Sequence, residues 1–116
     1  MTGYVRLANL KGNRDYGPEL DEVVIRIDRQ HPCLGNKHYL KNRDDLNQRA
    51  RVIELFQHDI DLDERTNGLM SQAVLEIALR VIAGEKIVLM CWCTPLACHG
   101  DIIIDRVRKK VREITA

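Results

Sequence analysis

Short apolar runs and longer stretches of helical periodicity follow one another along the chain. Residues 4–10 alternate between apolar and polar side chains and predict a first strand, and the β-branched run 23–28 predicts a second. The unbroken apolar run 87–90 follows the breaker Gly84. Because such a run suits burial on both faces, it predicts a third strand at the centre of a sheet.

Helical periodicity predicts three helices. The first is expected from about Asp44 to Ile60 with Asn42 or Asp44 as its cap, and residues 59–65 are interpreted as an acidic exit closed by Asn67-Gly68. The second covers roughly 69–83 and stops at Gly84, and the third starts at Gly100 or Asp101. The apolar positions expected to face inward are Leu46, Ile53, Phe56 and Ile60 in the first helix, and Ile103 or Ile104, Val107, Val111 and Ile114 in the third.

This order of elements predicts a small α/β domain. Residues 1–116 are expected to form one domain, with a sheet of three to four strands covered by about three helices. The C-terminal strand, loop and helix resemble the repeating unit of Rossmann-like folds, in which ligands bind at the carboxyl ends of the strands.

Composition and charge indicate which classes of binding partner are improbable for this protein. The 18 basic and 17 acidic residues balance, and the basic run 106–112 lacks interleaved aromatic residues, so the sequence argues against a nucleic-acid ligand. No apolar run approaches membrane-spanning length and no secretory leader follows Met1. We therefore expect a cytoplasmic protein, in which thiols are free, bound to metal or redox-active.

The candidate chemistry is concentrated in the loop 91–101, CWCTPLACHGD, between the third strand and the third helix. Three of the four cysteines, one of the four histidines and the only tryptophan lie there. Three interpretations stay open. The loop forms a small-molecule pocket at a helix start; or Cys91, Cys93, Cys98 and His99 bind zinc, although paired CxxC knuckles are absent; or the cysteines are small core residues beside a tryptophan.

The pocket interpretation assigns a role to each polar residue of the loop. His99 is the candidate acid or base, Asp101 its orienting partner and Cys98 the nucleophile, because a helix start lowers the pKa of a thiol. Gly100, Cys93 and Trp92 would contact the ligand. Arg29 and Asn36 follow the second strand and are expected to line the same cavity as His99.

The motif Cys-Trp-Cys-x-Pro-x-x-Cys-His-Gly-Asp resembles the signature of an uncharacterised phage and bacterial family, domain of unknown function 4326. Asn9-Leu10, Ile27-Asp28-Arg29 and Leu34-Gly35-Asn36 resemble its earlier segments, except that Asp28 replaces a usual Gly and Lys37-His38 a common Pro-Phe. The tail of the motif also resembles a Cys-His-Arg segment of domain of unknown function 488. The resemblance implies the fold and the position of the pocket, and a host cytoplasm if the protein is phage-encoded.

The sequence thus predicts a domain that binds, and in one interpretation acts on, a nucleotide-like or other phosphorylated small molecule at 91–101. This prediction requires no metal or other cofactor. The alternative is a zinc-stabilised Cys/His adaptor that binds a protein partner, with the zinc held by the four residues named above.

Overall fold

The computed structural model describes residues 3–9, 21–27, 34–35, 46–91 and 99–116, with Asn9 and Cys91 described by their backbone alone. Three strands and three helices occupy these residues: β1 (Tyr4–Asn9), β2 (Glu22–Arg26), α1 (Leu46–Thr66), α2 (Leu69–Ile82), β3 (Lys86–Cys91) and α3 (His99–Thr115). The predicted α/β class, with three strands in one sheet and three helices, is confirmed.

The three strands form a parallel sheet in the order β1-β3-β2. The central position of β3 follows from its composition, because its four apolar residues, Ile87 to Met90, are buried on both faces of the sheet. The prediction that 86–91 form a central strand is confirmed.

The two faces of the sheet bury different residues. Val5, Ile87 and Leu89 pack on one face in a core that the apolar sides of all three helices complete. Side chains alternate along a strand, so Val88 and Met90 point to the opposite face, where they form a smaller buried cluster with Ala8.

The end of α2 has the geometry that the sequence predicted. Ala83 is the C-cap, and Gly84 follows it with a φ of 102°. That left-handed conformation disfavours a side chain, and glycine therefore suits the position. The amide of Gly84 donates to the carbonyl of Val81 at 3.0 Å, which satisfies one carbonyl of the last turn.

The predicted end of the first helix is wrong. Residues 59–65 are not an exit: α1 continues to Thr66 and stops at Asn67, whose φ is 51°. Acidic residues are unfavourable near a helix C-terminus, which suggested an earlier end. In the fold, Asp61 and Glu64 both pair with Arg106 of α3, and these ion pairs offset that cost.

Asp63 explains why the chain reverses so tightly after α1. Its carboxylate accepts from the amides of Met70 and Ser71, at 3.2 and 2.7 Å, and from the Ser71 hydroxyl at 2.8 Å. A residue of α1 therefore caps the first turn of α2.

Other differences from the predicted boundaries are small. β2 begins at Glu22 and ends at Arg26 rather than spanning 23–28, and α3 begins one residue early, at His99. Leu46 and Ile114, both expected inside, are exposed. Leu46 is the first residue of α1 and Ile114 lies in the last turn of α3. At such helix ends, periodicity alone does not show whether another element packs alongside.

Charged residues join the strands at the amino end of the sheet. Arg6 of β1 forms two hydrogen bonds with the Glu22 carboxylate of β2, at 2.7 and 2.8 Å, and Tyr4 donates its hydroxyl to the same carboxylate. The hydrogen bond to Glu22 raises the pKa of Tyr4. Lys86 of β3 pairs with Asp21 at 2.5 Å, which lowers the pKa of that carboxyl.

None of the described helices is both long and apolar enough to cross a membrane.

Candidate functional site at the carboxyl edge of the sheet

The three strands end at nearly the same level, on what we call the carboxyl edge. Asn9 and Cys91 are register partners at the last positions of β1 and β3. Just beyond β2, the amide of Ile27 donates to the carbonyl of Met90 at 3.0 Å. The last described residues of all three strands therefore lie side by side at one edge, which is where parallel α/β proteins bind ligands.

Helix α3 starts against this edge, and Gly100 determines how close it comes. A Cβ atom on Gly100 would lie 2.5 Å from Cδ2 of Leu7 and 2.8 Å from Cδ1 of Ile27. Both distances are shorter than any ordinary carbon contact. The absence of a side chain at this position thus allows the first turn of α3 to pack directly on the ends of β1 and β2.

The His99 side chain ties the start of α3 to the end of β2. It is buried, and its Nε2 lies 2.7 Å from the carbonyl oxygen of Ile27. Its ring meets the Phe56 ring edge to face, with centroids 4.9 Å apart and an interplanar angle of 67°. Because a carbonyl can only accept, Nε2 carries the proton, and proton exchange by the neutral ring would have to use Nδ1.

Asp101 lies on a different side of the same helix. Two helical residues apart corresponds to about 200° of rotation, and Asp101 is exposed whereas His99 is buried. The first turn of α3 therefore does not bring these two side chains together. The Asp101 carboxylate instead carries a negative charge at the exposed start of the helix.

The structure describes part of the predicted site. His99, Gly100, Asp101 and the backbone of Cys91 lie at the carboxyl edge, as the strand–loop–helix pattern predicted. The other predicted site residues lie outside the described residues: Arg29, Asn36, Trp92, Cys93 and Cys98. Their roles remain predictions.

Leu34 and Gly35 show where the segment after β2 returns to the core. Both are buried, and Leu34 belongs to the main core cluster together with Ile27 and Phe56. These two residues directly precede Asn36 in the sequence.

Arg49 is a buried residue near this site that its sequence pattern did not single out. This residue is only 2% exposed and lies on the side of α1 that also carries Phe56 and Ile60. Arg49 precedes Phe56 by seven residues and Ile60 by eleven, and this spacing places all three on one helical face. That spacing was the sequence signal that could have predicted the burial of Arg49. An arginine is almost never fully buried unless its charged group is paired.

The metal alternative stays a prediction. Among the described residues, no three His, Cys, Asp or Glu side chains are grouped as ligands for one ion. The thiols of Cys91, Cys93 and Cys98, which that alternative requires, are outside this description.

The fold and the site define a small α/β domain with a parallel sheet and a strand–loop–helix unit at its carboxyl edge. The model of the family Domain of unknown function (DUF4326) matches residues 9–109. The chain belongs to this family. Neither the curated proteins nor the solved structures contain a significant match.

Proposed function

We propose that this domain binds a small anionic molecule, nucleotide-like or otherwise phosphorylated, at the carboxyl edge of its sheet within the segment 91–101. One observation carries the proposal: three parallel strands end level with one another, and Gly100 lets the N-terminus of α3 pack onto the same edge. Ligands of parallel α/β domains bind at such edges.

The start of α3 favours a negative charge on the ligand. The first amides of a helix have no carbonyl partner within the helix, and the helix dipole places partial positive charge there. These amides belong to the turn that Gly100 holds against Leu7 and Ile27. Phosphate groups suit this arrangement because each offers several acceptor oxygens.

Arg49 lies in the same region as the start of α3. Phe56 contacts His99 at the edge, whereas Asp61 and Glu64, further along α1, contact Arg106 further along α3. The two helices therefore run in the same direction. Arg49 precedes Phe56 by seven residues, or about 10 Å of helix, which places it beyond the carboxyl edge. Arg49 is therefore a candidate lining residue of the proposed pocket.

A chemical step on the ligand is a further part of the proposal. Cys98 would be the nucleophile, since it immediately precedes α3 in the sequence. His99 would exchange protons through Nδ1, while its Nε2–H bond to Ile27 fixes the ring. Asp101 would act from the exposed side of the helix rather than as a direct partner of His99. Timed alkylation should label Cys98 faster than Cys33, Cys91 or Cys93.

Binding is tested with pyrophosphate and ADP as probes, by titration of ¹⁵N-labelled protein. We expect saturable shifts of the amide signals of Gly100, Asp101 and Ile102, and none at the opposite end of α3. Asp101→Asn should tighten pyrophosphate binding about two- to fivefold, because it removes a negative charge beside the anion. Asp105→Asn is the matched control, since Asp105 is also exposed but lies one turn further along.

The same experiment can contradict the proposal. If neither probe shifts the three amides at millimolar concentration, or if the two Asn variants behave alike, the anion site is not at α3. The alternative, a zinc-stabilised adaptor for a protein partner, requires stoichiometric zinc in the purified protein and loss of the fold on addition of a chelator. Metal analysis and circular dichroism with EDTA would detect both.

A further inference from the structure

Helix α2 has a second apolar surface, opposite the one that it buries. Val74, Ile77, Ala78 and Val81 face the core. Leu75 and Leu79 lie one turn apart on the outer side and are 39% and 49% exposed. Together with Gln72 and Ala83 they line a shallow groove along the helix, which we call the α2 face. Paired leucines on successive turns of an exposed helix are typical of a helix-packing surface.

Charged residues border this surface in a self-complementary order. Glu76 and Arg80 follow Leu75 and Leu79 and lie one turn apart along the same edge of the α2 face. The Arg80 guanidinium is held by Glu85, with Nε 2.9 Å from Oε2 and Nη2 3.0 Å from Oε1. This pair orients the guanidinium and leaves its Nη1 donors directed away from Glu85.

We propose that the α2 face binds a second copy of this chain, with the two α2 helices antiparallel about a twofold axis near residue 78. Residue 78 is midway between Glu76 and Arg80, so the axis would place Glu76 of each copy opposite Arg80 of the other. Leu79 would meet its own counterpart beside the axis, and Leu75 would pack at the flanks. A twofold interface uses the same surface on both copies, as this arrangement requires.

The order of the charges selects this occupant and this orientation. In a parallel twofold pair, the edge that carries Glu76 and Arg80 would face the opposite edge of the partner helix, so neither residue would meet its counterpart. In the antiparallel pair both contacts are attractive and border an apolar centre. The carboxyl edge of the sheet takes no part in this interface, so the proposal is independent of the proposed ligand.

Sedimentation velocity of the complete chain over a wide concentration range tests the proposal. The wild type should form dimers as its concentration rises. Leu79→Glu should raise the dimer dissociation constant at least about tenfold, because it places two carboxylates beside the axis. Leu62→Glu is the matched control, since Leu62 of α1 is 46% exposed and lies outside the α2 face.

A charge exchange tests the orientation. Glu76→Arg alone creates two repulsive contacts with Arg80 and should weaken the dimer, and combining it with Arg80→Glu should restore association. Circular dichroism establishes that each variant is folded. A wild type that is monomeric at all concentrations, equal effects of Leu79→Glu and Leu62→Glu, or no recovery in the double variant would overturn the proposal.

Discussion

The two ends of the sheet are built from opposite kinds of interaction. At the amino end, side chains of different strands pair with one another: Tyr4 and Arg6 with Glu22, and Lys86 with Asp21. At the carboxyl edge, Gly100 packs against the apolar side chains of Leu7 and Ile27, and His99 and Ile27 form hydrogen bonds with backbone carbonyls.

This difference predicts that the two ends contribute unequally to the stability of the fold. The charges at the amino end satisfy one another, and Glu22 illustrates this because its side chain is 0% exposed and bonded by two residues. The carboxyl edge instead holds a helix start close to the strand ends, where Gly100 packs against Leu7 and Ile27 and His99 bonds to the Ile27 carbonyl. Apolar packing of Gly100 against Leu7 and Ile27 therefore contributes to holding the start of α3 at this edge.

The largest expected effect is at the amino end. Glu22→Ala removes the carboxylate that Arg6 and Tyr4 share and should lower the free energy of unfolding by about 2–3 kcal/mol. That range is below the value for fully buried pairs because Arg6 is one-third exposed. Urea denaturation measures the change.

Glu113→Ala is the control for this variant, because the pair of Glu113 with Lys110 is exposed and should contribute less than about 0.5 kcal/mol. Equal losses in the two variants would show that the amino end is not the more stabilising region.

A smaller effect is expected at the carboxyl edge. Gly100→Ala gains about 1 kcal/mol of helix propensity, but the added methyl group overlaps Leu7 and Ile27 and costs up to about 3 kcal/mol. The expected net loss is about 1–2 kcal/mol by urea denaturation.

Truncating the overlapped side chain tests the cause of that loss. In a Leu7→Ala background the same substitution should cost less, with a coupling energy of about 1 kcal/mol. Strictly additive losses would mean that Leu7 does not limit the approach of α3.

The smallest effect is a pH dependence at the amino end. The hydrogen bonds from Arg80 hold the pKa of Glu85 below its usual 4.5. A depressed carboxyl pKa stabilises the fold above pH 4.5, and this contribution is lost as the pH falls through the folded-state pKa. The stability difference between wild type and Glu85→Gln should therefore narrow between pH 5 and about pH 3.

The control variant for Glu85→Gln is Glu113→Gln, because the Glu113 carboxylate is exposed. Its stability difference from the wild type should stay near zero throughout this range. If the stability difference between wild type and Glu85→Gln does not change with pH, the Arg80–Glu85 ion pair is not its cause.

Local sequence determined the elements that carry a strong signal of their own. The apolar run 87–90 specified a central strand, because only burial on both faces satisfies four consecutive apolar residues. Gly84 indicated the end of α2, because glycine readily adopts the positive φ at which many helices end. In the fold its φ is 102°. The position of His99 and Gly100 at a strand–loop–helix junction also followed from the sequence, as did the family to which the chain belongs.

Tertiary structure decided what depends on residues far apart in the chain. α1 passes its predicted end because Arg106, 42 and 45 residues away from Glu64 and Asp61, compensates their charges. Arg49 is buried and Glu22 is paired because other elements fold against them. His99 donates to the carbonyl of Ile27, 72 residues earlier. Periodicity in the sequence shows which side of a helix or strand is apolar. The free energy of an ion pair or hydrogen bond between distant residues depends on both partners, and only the fold brings them together.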